Sequence, residues 1–133
     1  MKALYTVITA AIFALSSFCA AAQNQQEPLN FVDMAAKQAD KFAELYNLDM
    51  VQVFRVDSLF QVVYPALSAE FEQMKKGGAM NTDSYTSVND KWWNIIDTNL
   101  EQIFTPEQWA KYMKSSAGKE KKKRDKRMAA ANK

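Results

Sequence analysis

The 133-residue chain has 0 His, 1 Cys, 3 Gly and 3 Pro. Without imidazole, every catalytic triad or metal site that depends on a histidine is excluded. The one thiol is Cys19, so no disulfide can form within the chain and its folding must come from packing. Scarce Gly and Pro argue against the turn-rich pattern of an all-β protein. No glycine-rich loop is present to cradle a nucleotide phosphate. The chain is instead rich in apolar side chains, with 48% hydrophobic and 12% aromatic residues. This composition points away from catalysis and cofactors and toward a protein that works by its surfaces.

The first 22 residues have the composition of an export signal. Lys2 supplies a basic start, residues 3–18 carry no charge, and Ala20, Ala21 and Ala22 place small residues where a signal peptidase reads. Cleavage is expected before Gln23, leaving 111 residues in one small domain in the periplasm or another extracytoplasmic space. Thr6, Thr9, Ser16 and Ser17 interrupt the apolar run, which argues against a membrane anchor. Lipidation at Cys19 is disfavoured by the bulky Phe18 before it.

Periodicity in the remainder predicts an all-α protein of about four helices. A first helix opens at Asn30 and ends near Asn47, carrying Phe31, Met34, Ala35, Gln38, Phe42, Leu45 and Tyr46 at helical spacing. A second runs from Asp49 to Lys76, where Gly77 and Gly78 stop it, and Pro65 is expected to kink or split it. Its Val53, Val56, Phe60, Val63, Tyr64, Leu67, Phe71 and Met74 form one stripe. Val51, Phe54, Leu59 and Val62 lie off that stripe, so one core contact cannot cover the helix. After a loop at residues 79–83, a third helix carries Tyr85, Val88, Trp92, Trp93, Ile95, Ile96, Leu100 and Ile103 within one apolar arc. A fourth opens at Thr105, with Gly118 as its stop. Residues 119–133 then form a basic tail of net charge +6, against −5 for residues 23–118. The tail reads as a solvated charge run with possible weak contact to an anionic membrane surface. It has no aromatic residue for base stacking, so nucleic acid is not an expected partner.

Two segments repeat one pattern: Leu48-Asp49-Met50-Val51-Gln52 and Phe104-Thr105-Pro106-Glu107-Gln108. An apolar residue precedes a capping residue, and a glutamine follows three positions later. Each is a capping box in which the cap side chain accepts from the N3 amide and the glutamine reaches back to the cap N–H. Such a pair in a small exported helical chain resembles the Spy/CpxP family, whose hallmark is paired Leu-Thr-x-x-Gln motifs. Leu48 and Gln52 match the first motif, with Asp49 in place of Thr; Thr105 and Gln108 match the second, with Phe104 in place of Leu. The resemblance implies a four-helix, cradle-like or hairpin bundle that pairs as an antiparallel homodimer. It also implies an ATP-independent chaperone or an envelope-stress regulator.

On this reading Leu48, Asp49, Gln52, Phe104, Thr105 and Gln108 are structural, whereas Val51, Phe54, Leu59, Val62 and Trp93 are the candidate polypeptide-binding or dimer face. The expected activity is capture of unfolded polypeptides by apolar helix faces, and the alternative is specific binding of one folded partner. Catalysis is not expected: Asp40 and Glu44 are interleaved with Lys37 and Lys41, as on an ordinary exposed helix face.

Overall fold

The computed structural model describes residues 30–79 and 81–132. The expected signal at residues 1–22, the cleavage point before Gln23 and Cys19 lie outside the described residues. Among the described residues the fold is all-α, with five helices where about four were expected: α1 (Phe31–Tyr46), α2 (Met50–Lys76), α3 (Thr82–Ile103), α4 (Pro106–Lys114) and α5 (Ser116–Ala131). Helices α1 and α2 pack as one hairpin, α2 and α3 as the next; α4 touches α1, and α5 returns along α3.

Local chemistry sets the helix ends. Asn30 caps α1 by accepting from the Val32 and Asp33 amides. The helix closes at Asn47, whose φ of 51° is left-handed, and the Leu48 amide bonds back to the Ala43 carbonyl. Helix α2 continues through Pro65 without splitting. It ends at Gly77 and Gly78, and Gly78 adopts a φ of 67° that glycine tolerates without strain.

The start of α3 differs from expectation. Asn81 is its cap and Ser84 its N3 residue, so the predicted loop at residues 79–83 gives way to helix at Thr82. The Asn81 side chain accepts from the Ser84 amide at 2.8 Å, while the Asn81 amide donates to Ser84 Oγ at 3.0 Å. Serine here takes the part usually filled by Glu or Gln.

The basic segment also differs. Gly118 is no stop: the break falls at Ser115, which ends α4 and caps α5, and the helix continues to Ala131. The reason lies in α3, which offers two acidic side chains to the returning helix. Asp97, 1% exposed, accepts from Arg124 at 2.5 Å, and Asp90 pairs with Arg127 through two hydrogen bonds of 2.7 Å. The segment is therefore docked to the body rather than solvated on all sides.

The core follows the predicted stripes in part: Met34 and Leu45 of α1 and Tyr85 and Ile95 of α3, expected within them, are exposed. Ala35, Ala39, Phe42 and Tyr46 of α1 meet Val56, Phe60 and Val63 of α2 and Ile96 and Leu100 of α3. At the end where the two motifs lie, Phe42, Tyr46, Phe104 and Tyr112 form an aromatic cluster, with ring centroids 5.2 to 6.4 Å apart.

Candidate functional site

Both capping boxes form as expected. Sequence reading treated them separately, but the fold joins them. The Gln52 and Gln108 amides face each other, Gln52 Nε2 donating to Gln108 Oε1 at 2.7 Å and Gln108 Nε2 to Gln52 Oε1 at 3.2 Å. Each Oε1 also accepts from its own cap amide, Asp49 or Thr105. Each Nε2 also donates to the carbonyl ahead of the other motif: Gln52 to Ile103 at 2.9 Å, Gln108 to Asn47 at 3.2 Å. Both donors and the acceptor of each amide are thereby used. The result is a quasi-symmetric clasp that ties the starts of α2 and α4 to the ends of α1 and α3. Leu48 packs against the core and Phe104 is within it.

Leu48, Asp49, Gln52, Phe104, Thr105 and Gln108 thus build the scaffold, and the exposed apolar face is formed by other side chains. Val51, Phe54 and Val62 are 68%, 71% and 70% exposed, and Leu59 is half-buried. Val51, Phe54 and Val62 occupy the side of α2 turned from the buried Val56, Phe60 and Val63, whereas Leu59 sits at its edge and packs against the core. Helix α3 extends this face with Trp92 and Ile95, and together with Phe54, Leu59 and Val62 these line a shallow hollow of about 460 Å³. The contribution of Ile95 was not legible in the sequence, where it falls within the same apolar arc as the core residues of α3.

Trp93 is not brought to this face. It points toward a separate groove between α1, α2 and α3, and its ring lies 5.6 Å from the Arg124 guanidinium. Trp92 is instead held in place by an acidic group on α2. Its indole Nε1 donates to Glu70 at 2.6 Å, and Lys91 bonds the same carboxylate at 2.7 Å. These two hydrogen bonds, that of Lys91 the stronger influence, hold the Glu70 carboxyl below its ordinary pKa.

Behind α3, Tyr112 donates to Asp97 at 2.6 Å, so one buried carboxylate joins α3, α4 and α5. Burial, reinforced by that carboxylate, pushes the Tyr112 phenol far above its usual pKa. Among the described residues no group of three or more His, Cys, Asp or Glu side chains is placed to hold a metal ion, and no helix is long and apolar enough to cross a membrane. Comparison of the chain with protein-family models, with curated proteins and with solved structures finds no match.

Proposed function

We propose that this protein is an exported, chaperone-like polypeptide-binding protein that works without ATP or cofactor and without catalysis. The observation that carries this reading is the exposed stripe of Val51, Phe54 and Val62 on a helix whose other side already fills the core. Such a patch, continued onto α3 by Ile95, is the kind of surface that marks a protein-binding site. Burying Phe54 or Val62 against a bound chain contributes about 1.5–3 kcal/mol each. A second copy of the chain uses part of the same face in a homodimer, as the resemblance to the Spy/CpxP family implies. Paired Gln52 and Gln108 motifs, linked at one end of the molecule, support that resemblance. The exposed Lys119, Lys122 and Lys126 of α5 provide weak contact with an anionic membrane surface.

The test is suppression of aggregation when a chemically unfolded model substrate is diluted into buffer with the mature protein. Wild type is expected to suppress light scattering at stoichiometric ratios. Phe54→Ser with Val62→Ser, both at exposed positions, is expected to lose most of the effect while staying folded. Failure of the wild type would end the chaperone reading. Retrieval of one stoichiometric folded partner through the same face would favour a regulatory subunit instead.

A further inference from the structure

The groove between α1, α2 and α3 plays no part in the polypeptide reading above. It encloses about 690 Å³, within the roughly 300–1,000 Å³ of small-ligand sites. Phe31 and Met34 of α1, Leu67 of α2, and Trp93 and the buried Ile96 of α3 supply apolar walls. At one end Phe71 and Tyr85 stack with ring centroids 4.7 Å apart and planes 8° from parallel. The charged residues that line it are Lys37 and Lys41, one turn apart on α1. Neither takes part in an ion pair among the described residues. The lining is therefore positive, since Asp40 and Glu44, which alternate with these lysines along α1, are not part of it.

The chemistry of the walls discriminates between ligand classes. All three walls are helices, whose backbone donors and acceptors are bonded internally. The uncharged polar side chains in the lining are Gln38, Ser68, Tyr64 and Tyr85. An extended peptide brings a donor and an acceptor with nearly every residue, and laid within the groove, unlike one resting across the outer face with its backbone in water, it would leave most of them without a partner. An alkyl chain brings none.

We propose that this groove binds a single-chain amphiphile with an anionic head group, its alkyl chain lying along the apolar walls and its head group at Lys37 and Lys41. From Phe31 to Lys41, α1 covers about 15 Å, a run that an extended medium-length alkyl chain follows. The lysines act as point charges without a fixed fork, so carboxylate and phosphate heads are both accepted.

Calorimetric titration of the mature protein with sodium dodecanoate, kept below its micelle-forming concentration, tests this. One dodecanoate per chain is expected, with decanoate weaker by roughly fourfold per methylene lost. Dodecyl phosphate is expected to bind comparably, and dodecyltrimethylammonium at least tenfold more weakly. Lys37→Glu with Lys41→Glu, at two exposed positions, should weaken dodecanoate at least tenfold. Ser68→Trp should abolish binding by filling the groove, with an unchanged far-ultraviolet circular dichroism spectrum. Absence of saturable heat, undiminished binding by the double lysine variant, or equal affinity for the cationic amphiphile would overturn the proposal. So would loss of dodecanoate binding in the Phe54→Ser, Val62→Ser variant, which would move the alkyl chain to the outer face.

Discussion

An ideal Cβ at Gly118 would lie 2.4 Å from Met113 Cα and 2.5 Å from the Tyr112 carbonyl oxygen. Both are backbone atoms, so relief requires α4 and α5 to move apart. Glycine is used here for close approach, and the break itself belongs to Ser115, which donates to the Tyr112 carbonyl at 2.6 Å and accepts from the Gly118 amide. Gly118→Ala should therefore destabilise by about 1–3 kcal/mol through overpacking, even though alanine is favoured by about 1 kcal/mol in a helix interior. Urea denaturation reads the sign directly. The half-buried Tyr64 and the buried Tyr112 make a second prediction at this scale. Burial raises the Tyr64 pKa to about 12, and Tyr112 is shifted further in the same direction. In the unfolded chain both ionise near 10. A raised folded-state pKa means that the stabilisation is complete below pH 10 and is lost as pH rises through the folded values. Stability should fall from about pH 10 upward, and an ultraviolet tyrosinate titration should show a fraction that ionises only as the protein unfolds. Tyr112→Phe should soften that alkaline decline.

At the scale of elements, the two motifs behave as one device. Removing either glutamine side chain strips the cap amide of its partner and leaves a carbonyl of the neighbouring helix end without its donor. A double-mutant cycle of Gln52→Ala and Gln108→Ala should return a coupling energy on the order of 1–2 kcal/mol, within the range for residues in direct contact. Two independent caps would return zero. The motifs themselves were legible because a capping box is written within four residues. Their meeting was not, because it joins positions 56 apart and no local pattern encodes it. The same contrast runs through the other helices. The inner face of α2 was legible from its 3.6-residue period, as was the surplus of Val51, Phe54 and Val62. The start of α3 was missed because Ser84 fills a place where Glu or Gln is usually sought. Helix α5 was missed because it has no apolar stripe to read: Arg124 and Arg127 dock it onto Asp97 and Asp90, and those partners lie 27 and 37 residues away. Trp93 does not join the outer face, because the return of α5 along α3 places the Arg124 guanidinium beside it.

For the molecule as a whole, the division into an acidic body and a basic C-terminal segment is a division of charge and not of structure. The two arginines of α5 turn inward to buried or nearly buried aspartates, while Lys119, Lys122 and Lys126 are exposed. Guanidinium forks suit paired, desolvated carboxylates, whereas compact ammonium groups suit a hydrated surface. Deleting residues 119–133 would therefore do more than remove surface charge. It would leave Asp97 and Asp90 without their cations and uncover Tyr112, and loss of one partner of a buried pair typically costs about 3–5 kcal/mol. For a domain of this size the melting temperature should drop by on the order of 15 °C or more. Reversing the outer charges alone, with Lys119→Glu, Lys122→Glu and Lys126→Glu, should shift it far less, since none of the three takes part in an ion pair among the described residues. Thermal melts of the two variants, followed by circular dichroism, separate the outcomes. Equal stability of the truncated protein and wild type would mean that α5 rests on the body without supporting it. A large loss in the truncated protein, with little in the lysine variant, would make the inward arginines part of the fold and leave the outward lysines free for an anionic surface.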